Sequence, residues 1–189
     1  LFDIQGNQTL TVNNAGSTLH TGTLSFVNQS GAELRRSSGT GTTQLGIQAD
    51  GDSSTAFNLN NVGTFNVATG TVLYGIGGFS SNTNSGTVLI GSGATLSTNG
   101  AALTNSANSI IGGGGTLNLG AATLTNNGTI APGAVTGDTT GTLSITGILT
   151  QGTTGLIDIE LGGTAVGDFD VLAVSGAANL GGALRVREI

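Results

Sequence analysis

A chain of 189 residues with 35 glycines, one proline, no cysteine, 7% charged residues and a net charge of −6 excludes several classes at once. Collagen needs strict glycine at every third position with abundant proline. Disorder goes with high charge and low hydrophobicity, whereas 37% of this chain is hydrophobic. A helical bundle needs Ala, Leu, Glu, Lys and Arg in quantity, and this chain has no Lys.

Its four arginines sit in two close pairs, Arg35 with Arg36 and Arg185 with Arg187. Phosphate binding runs on clustered Lys and Arg, so nucleic acid and anionic membrane surfaces are not expected partners. Without cysteine there is no disulfide framework and no thiolate metal site. A β-rich fold with many tight turns fits the composition.

The first residues, Leu1–Gln5, read as a strand without an initiating Met, so the chain reads as a fragment or a processed form. His20 is the only histidine, and a Ser-His-Asp relay would have to use it. It lies in Ser17-Thr-Leu-His-Thr-Gly22, repeat-like sequence without a Gly-x-Ser-x-Gly elbow, so an exposed strand position is expected. Residues 35–56 are polar and break the pattern seen elsewhere, which suggests a long loop or insertion around Gln48–Thr55. Within it, Asp50 and Asp52 are weak calcium candidates. Calcium wants six to eight oxygens and a bidentate carboxylate at longer spacing, which does not follow here; an Asp/Gly turn is the simpler reading.

A repeat runs through the middle. Asn84-Ser-Gly-Thr-Val88 recurs as Asn126-Asn-Gly-Thr-Ile130, with Asn105-Ser-Ala107 between them, so the leading asparagines are spaced 105 − 84 = 21 and 126 − 105 = 21. Asn61-Val-Gly-Thr-Phe65 is an earlier copy and Asn28-Gln-Ser-Gly31 a weaker one. Gly-Thr-Leu units lie between the copies, at Gly22, Gly115 and Gly141, with Gly93-Ala-Thr-Leu96 a variant. One repeat then makes one rung of a coil, and rungs stack about 4.8 Å apart. At 21 residues per rung the chain would make roughly nine rungs over about 40 Å. Val88, Ile90, Leu96, Ile110, Leu117, Leu119, Leu124 and Ile130 are expected inside, Thr and Ser outside, with Asn and Gly supplying turns at positive φ. The apolar runs Val72–Tyr74 and Val88–Ile90 are far too short to span a bilayer.

Toward the C-terminus the alternation is cleaner. Ile157, Ile159 and Leu161 share one face of a strand, and Asp158 and Glu160 the other, expected to be solvated. Phe169, Val171 and Ala173 alternate likewise, and Leu184 and Val186 are set against Arg185 and Arg187. Residues 1–140 are assigned to repetitive rungs and 141–189 to terminal rungs with longer strands.

Leu124-Thr-Asn-Asn-Gly-Thr-Ile-Ala-Pro-Gly133, Gly141-Thr-Leu-Ser-Ile-Thr-Gly147, Leu156-Ile-Asp-Ile-Glu-Leu-Gly-Gly163, Gly167-Asp-Phe-Asp-Val-Leu-Ala-Val-Ser-Gly176 and Ala178-Asn-Leu-Gly-Gly-Ala-Leu184 follow one another in that order. This stretch resembles the C-terminal part of autotransporter passengers and related large, repetitive β-helical adhesins of Gram-negative bacteria. The resemblance is strong over about 82–187 and looser before that. It implies an all-β, right-handed parallel β-helix, exported to the cell surface or the extracellular space, and often followed by an outer-membrane translocator barrel. No barrel-like run of strands occurs here.

No catalytic residue, cofactor or metal is expected. Glycosidases on β-helices use clustered carboxylates, and the pairs Asp50/Asp52, Asp158/Glu160 and Asp168/Asp170 read instead as solvated faces. Thr-x-Thr pairs, such as Thr123/Thr125 and Thr140/Thr142, do not recur at one interval, which argues against an ice-binding array. Three Asn-x-Ser/Thr sequons (Asn7, Asn28, Asn127) read as chance, and Gly112–Gly115 as a turn rather than a phosphate loop. The expected role is a non-catalytic structural or adhesive rod that contacts glycans, extracellular matrix or copies of itself. The alternatives are a polysaccharide-acting enzyme scaffold and a self-assembling filament subunit.

Overall fold

The computed structural model describes residues 1–13, 23–48, 56–74, 81–133 and 139–189. Within them every strand of two or more residues pairs in parallel with its ladder neighbours, and the strands follow a simple cycle. Three strands make a coil, and each pairs with its counterpart one coil away. Coil one is β1 (Phe2–Gln5), β2 (Leu10–Asn13) and β3 (Thr23–Asn28); coil two is β4 (Glu33–Ser38), β5 (Thr42–Gln48) and β6 (Ala56–Asn61). Coil three is β7 (Thr64–Val67), β8 (Thr71–Tyr74) and β9 (Asn82–Asn84), and coil four β10 (Thr87–Ile90), β11 (Thr95–Ser97) and β12 (Leu103–Asn105).

In the next two coils one long strand covers two sides. These are β13 (Ile110–Gly113) with β14 (Thr116–Asn126), and β15 (Thr129–Pro132) with β16 (Thr142–Gln151). Coil seven is β17 (Leu156–Leu161), β18 (Val171–Val174) and β19 (Ala178–Asn179), and β20 (Ala183–Glu188) opens an eighth. The first side forms one ladder from β1 to β20; β14 and β16 weld the other two sides into one continuous sheet. The chain is therefore an all-β stack of parallel coils, as the repeat implied.

The interior is built from side-chain columns. One runs Phe2, Leu34, Phe65, Val88, Ile111, Ile130, Ile157 and Leu184 along the first ladder. Its members from Leu34 to Ile130 are at most 1% exposed. A second runs Thr43, Val72, Leu96, Leu117 and Ile145, and a third includes Leu103, Leu124 and Leu149. Because each strand alternates in and out with period two, one or two apolar residues per side and coil fill the lumen, as Val88 with Ile90 and Leu117 with Leu119 show. Two of the few aromatics pack against each other inside it: Phe57 and Tyr74 rings are 5.3 Å apart, and Tyr74 Oη donates to the Phe57 carbonyl. Burial pushes the Tyr74 phenol well above its usual range.

Coil length is not constant. Along the first column it runs from 130 − 111 = 19 to 34 − 2 = 32 residues, so the described residues make seven coils and a strand, not nine rungs. A 21-residue step holds between Asn84, Asn105 and Asn126. The polar stretch starting at Arg35 is not wholly an insertion: Glu33–Ser38 and Thr42–Gln48 are ladder strands, while residues 49–55 lie outside the described residues. The core also takes Ile111 rather than Ile110. Thr87 pairs with Ile110 and Val88 with Ile111, because the turn after Asn105 is longer and closes through Asn108 at φ 64°.

Candidate functional site

At the end of the third side of every coil from one to five stands an asparagine, and its side chain points inward. Asn28, Asn61, Asn84, Asn105 and Asn126 are 0–6% exposed. Each Nδ2 donates to the Oδ1 of the next: Asn28 to Asn61 at 2.8 Å, Asn61 to Asn84 at 2.8 Å, Asn84 to Asn105 at 2.7 Å and Asn105 to Asn126 at 2.7 Å. The second N–H reaches a backbone carbonyl in the first-side strand that follows the next asparagine, at Thr64, Thr87, Ile110 and Thr129. A primary amide offers two donors and a carbonyl acceptor, so it can bond above, below and sideways at once. In the dry lumen such a ladder replaces water for each polar group. Gln151 occupies the next place in register. Its longer side chain leaves that link unmade, with Asn126 Nδ2 and Gln151 Oε1 both lacking a partner.

Sequence reasoning assigned these asparagines to turns. The ladder shows otherwise, and among the described residues only Asn99 and Asn108 have positive φ outside glycine. The glycines of the Asn-x-Gly-Thr motif are also not there for φ. Gly63, Gly86 and Gly128 sit against carbonyls of the preceding coil; a Cβ on Gly86 would lie 2.1 Å from the Gly63 oxygen. Where coil five has Ser109 in this place, its Oγ donates within the ladder, to Asn105 Oδ1 at 2.7 Å.

The outward positions form columns of their own. Thr83, Thr104, Thr125 and Thr150 are stacked in register on the third side, and Thr42, Thr71, Thr95, Thr116 and Ser144 on the second. Hydroxyls do line up, although by one residue per coil and not by Thr-x-Thr pairs. No charged residue occurs between Asp52 and Asp138, so coils three to five present flat, uncharged faces of hydroxyl, amide and methyl groups.

Among the described residues, charge is confined to the first two and the last two coils. Near the start, Asp3 accepts from Arg35 Nη2 at 2.8 Å and from Ser37 Oγ at 3.0 Å, and the Arg35 hydrogen bond above all holds its carboxyl well below the usual range. Arg36 faces inward, fully buried. No carboxylate pairs with it among the described residues; its guanidinium donates to Asn7 Oδ1 and to the carbonyls of Ser38, Gly39, Gly41 and Thr71. Desolvation lowers its pKa from the ordinary value.

Near the other end, Asp158 and Glu160 are not a solvated face. They are 6% and 2% exposed, covered by the next coil's arginines. Arg185 binds Asp158 through Nε at 2.7 Å and Nη2 at 2.5 Å, while Arg187 binds Glu160 and reaches Asp158 at 3.4 Å. The Arg185 hydrogen bonds, foremost, lower the Asp158 pKa. Asp170 is a backbone clasp: Oδ1 accepts from Gly141 N at 2.8 Å and Oδ2 from Glu160 N at 2.9 Å. Asp168 closes its own turn through Ala165 N.

These carboxylates do not converge on a cleft, and no group of three or more His, Cys, Asp or Glu among the described residues could hold a metal. His20, Asp50 and Asp52 lie outside the described residues. Shallow hollows lie among the described residues. One of ≈340 Å³ is lined by Phe2, Asp3, Ile4 and Leu10 at the open first coil, and one of ≈420 Å³ by Thr139, Thr140, Gly162 and Asp168. Among the described residues no helix is long and apolar enough to cross a membrane. No protein-family model, curated protein or solved structure matches the chain.

Proposed function

We propose that the chain is a non-catalytic structural and adhesive rod segment of a secreted bacterial surface protein, of the autotransporter-passenger kind, displayed outside the cell on a parent linked to an outer-membrane translocator. The observation that carries this reading is the division of polar groups. Asp3, Asp158, Glu160, Asp168 and Asp170 near the ends are engaged in ion pairs or backbone bonds, and the middle coils offer uncharged columns of Thr and Asn. Such faces suit many weak hydrogen bonds to glycans or matrix protein, in place of one tight pocket. The coil is right-handed in this reading, since parallel strand crossovers take that hand in about 98% of cases.

The test is capture of the fluorescent chain on immobilised neutral glycans and matrix protein. Capture that falls when Thr104→Arg and Thr125→Arg are introduced together supports the proposal. Absence of capture on every surface, or release of reducing ends from a polysaccharide substrate, contradicts it.

A further inference from the structure

The dipeptide Asn-Gly occurs twice in the chain, at Asn99-Gly100 and at Asn127-Gly128. The stacked coil places the two copies differently. Asn99 and Gly100 make the corner between β11 and β12 on coil four, and both are exposed. Their φ values are 54° and 83°, and the turn closes from Ala101 N to the Thr98 carbonyl at 3.1 Å. A two-residue turn with positive φ at both centres selects Asn followed by Gly, so turn geometry explains why the pair stands here. A Cβ on Gly100 would meet nothing within 4 Å, so that side of the turn is open.

Asn127-Gly128 is held in the ladder. Asn127 N donates to the Asn105 carbonyl at 2.8 Å, and the Asn127 carbonyl accepts from Thr154 Oγ1 at 2.9 Å. Gly128 is buried, and its carbonyl accepts from Leu156 N at 2.8 Å. A Cβ on Gly128 would lie 2.4 Å from the Ser106 and Ser109 carbonyl oxygens. The preceding and following coils thus hold this pair from both sides.

Asparagine is a chemically labile residue, and its side-chain amide can react with the next backbone nitrogen without an enzyme. The nitrogen attacks Cγ, the Cγ–Nδ2 bond breaks, and ammonia leaves with the proton that the nitrogen gives up. The five-membered imide then takes up one water at either carbonyl carbon and opens to aspartate or isoaspartate. Water enters and ammonia leaves, with no oxidation. A glycine nitrogen is the least shielded, since glycine has no Cβ. Ring closure needs the Asn backbone to rotate, so the pair must open locally first. An exposed corner opens far more often than a pair pinned between two coils.

We propose that Asn99-Gly100 is a self-modification site, at which the folded chain exchanges an amide for a carboxylate with water as co-reactant, while Asn127-Gly128 keeps its amide. The product sets a negative charge on coil four, within the run from Asp52 to Asp138 that holds no other charged residue. The isoaspartate form also lengthens the main chain by one methylene at the corner. The proposal rests on the stacked-coil fold and not on adhesion.

The test incubates the folded 189-residue chain at mildly alkaline pH. Isoelectric focusing follows the acidic species, and peptide mass spectrometry locates the amide-to-acid exchange. Conversion at Asn99 is expected to run at least about tenfold faster than at Asn127, because a corner opening costs less than separating two coils. In concentrated urea the two sites should convert at similar rates, since the dipeptide is the same. Asn99→Gly suits the positive φ and removes the reacting carbonyl, so it should keep the circular dichroism spectrum and lose that acidic species. Should Asn99→Gly fail to fold, Asn99→Asp carries the same test, since it starts as the acidic form and should show no further shift from this site. An Asn99 that stays an amide in the folded chain while both sites convert in urea, equal rates at the two sites before unfolding, or an undiminished acidic species in Asn99→Gly would overturn the proposal and leave the rod reading standing.

Discussion

Asn84 Nδ2 donates to Asn105 Oδ1 at 2.7 Å, with both side chains 0% exposed and a sequence separation of 21. This pair shows how the fold converts a sequence interval into a polar thread inside an apolar lumen. Removing one member strands its neighbours. Asn84→Ala takes the acceptor from Asn61 Nδ2 and the donors from Asn105 Oδ1 and the Ile110 carbonyl. The expected cost is about 2–4 kcal/mol, from a lost buried hydrogen bond and groups left short of partners. Urea unfolding with a lowered midpoint and an unaltered slope checks it.

The motif glycines give a paired prediction. Gly86→Ala would set a Cβ 2.1 Å from the Gly63 carbonyl oxygen, backbone that cannot rotate away, and is expected to destabilise by more than about 2 kcal/mol. Gly93→Ala meets nothing within 4 Å and suffers only from its φ of +73°, about 1 kcal/mol. Thermal melts of the two variants should therefore separate clearly, with Gly86→Ala the lower.

Ile90 and Leu117 are 0% exposed in interior columns on different sides of the coil. Ile90→Asp or Leu117→Asp places an unpaired carboxylate in the lumen, and each is expected to cost about 4 kcal/mol or more. Loss of the cooperative melt by circular dichroism is the readout. An unchanged melting temperature for both would contradict the buried columns.

Acid should weaken the two charged ends first. Asp3 and Asp158 have folded pKa values below the ordinary one, each chiefly through arginine hydrogen bonds. Their contribution is complete above the unfolded value of about 3.9 and is lost as pH falls through it toward the lower folded values. The melting temperature should be flat across roughly pH 5 to 7 and drop below about pH 4. Arg185→Gln should shrink the acid-side drop while lowering the neutral-pH plateau.

The all-β coil was legible because aliphatic spacing and the Asn-x-Gly-Thr interval need no knowledge of contacts. What the asparagines do was not. A lone Asn beside Gly reads as a turn residue, and only recurrence at one offset next to an inward aliphatic points to a ladder. The Asp158–Arg185 and Glu160–Arg187 pairs were missed for a similar reason. The alternation of β17 places the two carboxylates outward, but their cover comes from the next coil, and the shared offset of 185 − 158 = 27 and 187 − 160 = 27 was the available signal. Ile110 was taken for Ile111 because the length of the Asn108 turn decides the phase of the strand, and a slip of one residue exchanges the two faces. The Thr columns escaped notice because Thr was sought in Thr-x-Thr pairs, whereas single threonines carry the column: Thr83, Thr104 and Thr125 recur at 21 residues, and the interval lengthens only at Thr150.

The account stands or falls on parallel pairing of one coil with the next. The chain has no cysteine, so engineered pairs can be read without background. Thr104 and Thr125 are register partners on adjacent coils, and Thr150 is one coil further. Adjacent strands lie about 4.8 Å apart, within the Cα span of roughly 4.4–6.8 Å that a disulfide needs, whereas a two-coil gap of about 10 Å is too wide. Thr104→Cys with Thr125→Cys should oxidise to an intramolecular disulfide, and Thr104→Cys with Thr150→Cys should remain two free thiols. Equal cross-linking of both pairs, or none of the first, would contradict the stacked coil.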